Sequence, residues 1–297
     1  MAGVNYGNRF IPEPWMTSLS ESIYGSKYGP AVKKADNVKD ISFCDVTDDR
    51  ILHWLDDNIQ EDHFSQMQQF GVQLLRIPTG YWNWITLPEG TTPNAPDDVA
   101  ARYKNLQAVT KEQYQPYIDK IISYCQKYNI KFFFEMHGAP GSQNGEMHSG
   151  CITGWADIGK PNHYFDTDWN KQIAVETVGV MAQKCAEYPD LCYGVGVLNE
   201  PQPGLTSPLP WTLHSFLDGY FGEAILEARK YLDKDVPVVL YSWWYEFVLW
   251  SETHYPYDTY GKVVWDTHIY TKDKSSVDSA LKSYDKFLKM VQSFQDK

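Results

Sequence analysis

Residues 192–201 read C-Y-G-V-G-V-L-N-E-P. Val195, Val197 and the glycines between them make a short apolar run that suits a strand buried on both faces, and the run ends in a polar pair stopped by proline. Asn199 and Glu200 therefore fall at the carboxyl end of a buried strand. In barrels of alternating strands and helices that end carries the functional side chains, because the strand-to-helix loops form the open face. A carboxyl group there is partly desolvated, so it holds its proton more tightly than in water and can serve as an acid near neutral pH. The same residues also fit a helix cap or a partner for a surface cation, and the segment alone does not separate these readings.

Outward from this stretch, the pattern alternates. Residues 3–15 read as a short strand with a tight polar exit, and an irregular segment runs to about Asp56. A helix covers 61–70, and a second strand over 72–77 delivers Arg76 just before Pro78 and the aromatic cluster Tyr81, Trp82 and Trp84. Residues 111–128 form a helix with apolar spacing at Tyr114, Ile118, Ile121, Ile122 and Cys125. A third strand over 130–136 ends in His137 and the loop H-G-A-P-G-S-Q-N-G. That loop lacks the G-K-[S/T] ending of a phosphate cradle and is followed by Glu146, which excludes such a cradle. A helix over 170–187 precedes the 192–198 strand, and another spans 209–232. Strands over 236–241 and 262–267 follow, the latter running into His268 and Tyr270, and the last helix is expected over 277–294. Short strands alternating with longer helices predict a parallel sheet with right-handed crossovers. Polar residues at the strand ends favour a TIM-type (β/α)8 barrel, although only about six βα units are counted where a closed barrel has eight.

The chain has 297 residues, enough for one large α/β domain, and we treat 1–297 as a single domain. A formal charge of −12 and the lack of polybasic runs argue against nucleic acid and anionic membranes. No run of about 18 apolar residues is present, so no membrane span is expected. Aromatic residues make up 15%, with 11 Trp and 21 Tyr, which suits a ligand with flat apolar faces such as a sugar ring, although most of these side chains serve core packing. The 5 cysteines show no C-x-x-C or His-rich spacing, so no structural metal is implied, and their odd number leaves at least one thiol unpaired within the chain. No signal peptide precedes the candidate strand at Gly3. The protein is then either intracellular or has lost a leader.

Five segments occur in the order seen in glycoside hydrolase family 5: G-V-N-Y-G-N-R-F-I-P-E-P-W, L-L-R-I-P-T-G-Y-W, H-G-A-P-G-S-Q-N-G, L-N-E-P and W-D-T-H-I-Y. The chain most resembles the fungal-type exo-β-1,3-glucanase branch of that family, over essentially its whole length. The resemblance implies a retaining hydrolase of a β-linked glucan or β-glucoside. It implies Glu200 as general acid/base, Asn199 as holder of the sugar's 2-hydroxyl and Arg76 as the arginine that keeps the nucleophile ionised. His137, His268 and Tyr270 would line the reacting sugar's subsite, and Glu13 would bond its hydroxyls. An arginine fork beside a carboxylate does lower that carboxylate's pKa. No cofactor is implied, since this cleavage needs only a carboxyl pair. The resemblance also suggests an extracellular or secretory location.

Two positions depart from the family pattern. Where the exo-glucanase branch carries an aromatic clamp after the glycine-rich loop, this chain has Glu146; Trp82, Trp243, Trp244 and Trp250 are alternative stacking surfaces. More seriously, the family's nucleophile is a glutamate after the seventh strand, and no glutamate follows Glu252. Asp266 lies a pleat below its strand end, and Asp273 and Asp278 suit a polar loop and a helix start better than a nucleophile's place. We therefore expect a barrel without its seventh and eighth units, completed by a further C-terminal segment or a second chain. The alternatives are a carbohydrate-binding protein that kept the subsite and lost the chemistry, or a fragment of a split or longer hydrolase.

Overall fold

A computed structural model describes residues 1–13, 42–153, 164–201, 210–241 and 255–268. Its strands are β1 (Gly3–Asn5), β2 (Leu74–Gly80), β3 (Lys131–Gly138), β4 (Cys192–Gly196), β5 (Val238–Tyr241) and β6 (Val263–Asp266). They form one sheet in the order β1-β2-β3-β4-β5-β6, and each neighbouring pair is parallel. Each strand expected from the sequence is present, β1 being the shortest. Gly3 and Asn5 of β1 line the same cavity of about 340 Å³ as Val264 and Asp266 of β6, together with Arg76, Phe133 and Val239. Two opposite edges facing one space mean that the sheet is curled into an arc. The fold is thus of the TIM-barrel type, and the described residues supply six strands of it.

The helices are α1 (Arg50–Asn58), α2 (Glu61–Gln69), α3 (Asp97–Tyr103), α4 (Lys111–Tyr128), α5 (Asp168–Ala186), α6 (Pro210–Ala228) and the single turn α7 (Tyr257–Tyr260). α4 has the expected limits, set by a Thr110–Gln113 capping box at its start and by Asn129 in the left-handed region, φ 52°, at its end. Its apolar stripe of Tyr114, Ile118, Ile121, Ile122 and Cys125 is buried. The reading of an irregular chain to Asp56 is corrected by α1. Ile51, Trp54 and Leu55 recur at helical spacing and are buried, but the preceding acidic turn hides that period in the sequence. The helix expected over 277–294 lies outside the described residues.

β3 reads K-F-F-F-E-M-H-G and is buried from Phe132 to Gly138, as a strand covered on both faces should be. In β4, glycine is dictated by its neighbours: a Cβ at Gly194 would meet the Pro237 carbonyl oxygen at 2.1 Å, and one at Gly196 would meet Glu135 Cγ at 2.8 Å. Trp82 is core rather than a stacking platform. It is 1% exposed and packs against Phe43. Two disulfides, Cys44–Cys151 and Cys185–Cys192, leave Cys125 as the unpaired thiol, buried and with its pKa pushed up by that burial. Among the described residues no helix is long and apolar enough to cross a membrane.

Candidate active site

Arg76 on β2 and Glu135 on β3 meet at the carboxyl end of the arc. Arg76 Nη2 donates to Glu135 Oε1 at 2.8 Å and lies 2.6 Å from Oε2. The same nitrogen donates to Asn199 Oδ1 at 2.7 Å. His137, two residues along β3 and so on the same face as Glu135, sets Nδ1 3.0 Å from Glu135 Oε2. Burial alone would raise the Glu135 pKa, but the Arg76 guanidinium and the His137 imidazole override it and hold the carboxyl at about 2. The fork expected to steady a catalytic carboxylate is therefore spent mainly on Glu135. The sequence reading missed this residue, although a lone acid inside the apolar run F-F-F-E-M-H was a usable signal.

Asn199 is held from both sides of its peptide. Its N–H donates to Met136 O at 3.0 Å, and its carbonyl accepts from Gln143 Nε2 at 2.9 Å. Glu200 follows with φ 41°, a left-handed conformation that costs an ordinary residue roughly 1–2 kcal/mol. Its carbonyl accepts from Asn144 Nδ2 at 3.0 Å. Gln143 and Asn144 of the glycine-rich loop thus grip the two peptides that aim the acid.

The Glu200 carboxyl lies between two imidazoles. Oε1 bonds His268 Nδ1, while Oε2 is 3.4 Å from His148 Nε2. His268 Nε2 lies 3.3 Å from Asp266 Oδ2, and Asp266 in turn lies 4.0 Å from Arg76 Nε. Burial would depress His268, but the bonds to Asp266 and Glu200 prevail over burial and the repulsion of Arg76, raising it to about 9. It is then an imidazolium at neutral pH. His148 behaves oppositely: burial, with His137 beside it, pulls it down to about 4. Glu146 is partly buried, and burial together with the charge of Glu200 raises its carboxyl pKa.

Of the residues singled out from sequence, Arg76, His137, Asn199, Glu200 and His268 come together in this network. Glu13 is buried after β1, its N–H donating to Asn8 Oδ1 at 2.6 Å. Tyr270, Trp243, Trp244, Trp250, Asp273 and Asp278 lie outside the described residues. Asp266 is the last residue of β6 rather than a pleat below the strand end, because the strand stops there instead of running on to 267, and it acts on His268 and Arg76. Nothing in the sequence pattern singled out His148, which lies in no strand and follows the loop by only a few residues.

The family described as Cellulase (glycosyl hydrolase family 5) matches residues 30–297. The chain belongs to glycosyl hydrolase family 5. Among its relatives, a "Glucan 1,3-beta-glucosidase 2" of Wickerhamomyces anomalus is 30% identical over 203 residues, covering 67% of this chain and 41% of the relative. A "Glucan 1,3-beta-glucosidase" of Lachancea kluyveri is 27% identical over 277 residues, covering 90% of this chain and 55% of that protein. The chain spans about half the length of these yeast relatives. In structure it is similar to a rutinosidase from Aspergillus niger, with a TM-score of 0.65 at 20% identity, over 95% of this chain and 73% of the other. That likeness concerns the fold.

Proposed function

We propose that this family 5 chain carries the acid/base half of a retaining glycoside hydrolase acting on a β-linked glucan or β-glucoside, in the manner of an exo-β-1,3-glucanase. The observation that carries the reading is Glu200, fixed in the segment just after β4 between two imidazoles and beside the Arg76–Glu135–His137–Asn199 network. In this reading Glu200 gives its proton to the leaving oxygen and later takes one from water. Asn199 Nδ2 is buried and has no hydrogen-bond partner among the described residues, a donor suited to a sugar hydroxyl. The names of the yeast relatives, glucan 1,3-beta-glucosidases, support a β-1,3-glucan as substrate, and Glu146 in place of an aromatic clamp points to a more polar grip on the leaving group.

Retention also needs a second carboxylate about 5 Å from the first. Glu135 is a poor candidate, being fully buried with its oxygens engaged by Arg76 and His137. We assign the nucleophile to the part of the relatives' length that the chain does not span. Among the described residues β1 pairs with β2 alone and β6 with β5 alone, and these open edges favour completion of the single domain by further strands, from a C-terminal segment or a second chain. Two disulfides favour an oxidising compartment, hence a secretory or extracellular location.

The test is hydrolysis of aryl β-glucosides and of a β-1,3-glucan by the full natural protein. Glu200→Gln should lower kcat by about 10²–10⁴-fold, the usual contribution of a general acid. Undiminished turnover in that variant would remove the assignment. A second reading, sugar binding without turnover, is favoured by the Arg76 fork, which is engaged by the buried Glu135 rather than by an accessible carboxylate. Calorimetry with glucan oligosaccharides separates the two, since tight binding by a full-length protein that hydrolyses nothing belongs to the second.

A further inference from the structure

His148 stands on the short 3-10 turn Met147–Ser149, across Glu200 from His268. Its tautomer can be read from its neighbour. Asn144 Oδ1 accepts from the Glu146 N–H at 3.0 Å, and Asn144 Nδ2 donates to the Glu200 carbonyl at 3.0 Å. Turning the amide over would set an N–H against an N–H and an oxygen against an oxygen, so its orientation is fixed. The group it presents to His148 Nε2, at 2.7 Å, is therefore a donor. His148 Nε2 then carries a lone pair and no proton. The nitrogen, whose one lone pair already faces the Asn144 N–H, also lies 3.4 Å from Glu200 Oε2.

Two acceptors facing each other repel, whereas a protonated Oε2 facing the lone pair is a hydrogen bond that shortens when the site closes on its substrate. Resting on Glu200 as the acid, we infer that His148 is a positioning residue: its unprotonated Nε2, pinned by Asn144, shares its one lone pair with the protonated carboxyl of Glu200 in a three-centre hydrogen bond and so favours the acid form. Oε1 meanwhile accepts from His268 Nδ1, so both oxygens are used at once. The same surroundings contain opposing charges. His268 and Arg76 favour the ionised carboxyl, while Glu146, Glu135 and Asp266 favour the protonated one; His137 touches the His148 ring at a centroid distance of 5.7 Å. Burial keeps His148 neutral down to about pH 4, so the acceptor persists through the range in which a glycosidase acid works.

The test does not require turnover. With glutamate labelled at the carboxyl carbon, and Glu200→Gln used to assign the signal, the Glu200 midpoint is followed by NMR in the full chain. Replacing the acceptor in His148→Phe should lower that midpoint by about 0.7, a roughly fivefold loss of proton affinity, the size of one net hydrogen bond. His148→Gln, whose amide oxygen can accept, should recover at least half of it. A merely structural role for His148 would not produce that recovery. In the unsubstituted protein, the ¹⁵N shift of His148 Nε2 at neutral pH should be that of an unprotonated, hydrogen-bonded nitrogen. An unchanged or raised midpoint in His148→Phe, or a protonated Nε2, overturns the inference. Failure of the proposed function would appear separately, as hydrolysis that survives Glu200→Gln.

Discussion

Replacing Glu135 with glutamine keeps the shape of the side chain, removes its charge, and leaves Arg76 buried opposite an amide. The carboxyl is held at about 2 against an ordinary 4.5, a depression that corresponds to about 3 kcal/mol of stabilisation at neutral pH. Breaking one partner of a buried pair costs roughly 3–5 kcal/mol by general experience, which agrees. Because the folded value is depressed, the contribution is complete above about 4.5 and is lost as the pH falls from there through about 2. Urea unfolding at pH 7 should therefore show Glu135→Gln less stable by about 3 kcal/mol, and a pH series should lose the acid-limb slope that this group provides. Arg76→Met combined with Glu135→Gln should cost less than the sum of the single changes, because no lone charge is left buried. A cost below about 1 kcal/mol with an unchanged acid limb would refute the view that this pair is the electrostatic centre of the site.

Three further outcomes are expected. Asn144→Ala frees the Glu200 carbonyl from its donor, so the strained φ should relax and kcat of the full-length protein should fall about 10–100-fold with little change in KM, checked by steady-state kinetics. His268, raised to about 9, adds stability that is whole below about 6.5 and disappears as the pH rises through 9, so thermal unfolding of His268→Gln should lose that alkaline dependence. Opening the disulfide of Cys44 and Cys151, 107 residues apart, by a double change to serine should cost on the order of 4–5 kcal/mol in the chain-entropy account, measured by denaturant unfolding.

Much of the arc was legible because buried parallel strands advertise themselves as apolar runs with polar ends. β3 and β4 are the clear cases, and the residues that close them, His137, Asn199 and Glu200, do gather in space. Less legible was anything decided by pairing across strands. Glu135 looks like an intruder in a phenylalanine run until Arg76 is seen beside it, and Gly196 looks like strand weakness until the Glu135 side chain is found lying over it. The α1 helix was missed for a local reason, since three acidic residues crowd its approach and mask the spacing of Ile51, Trp54 and Leu55. His148 was invisible because nothing in M-H-S says which amide stands over it.

The grip of Gln143 and Asn144 on the peptides of Asn199 and Glu200 has a bearing on how such a protein can change over evolutionary time. Surface connections ordinarily absorb insertions and drift freely. Here the connection after β3 and the tip of β4 are machined to a common gauge, so lengthening one by a single residue would misalign the other. New preferences for sugar or aglycone would then have to arise from the remaining rim of the pocket, with this pair of segments inherited together as one cassette.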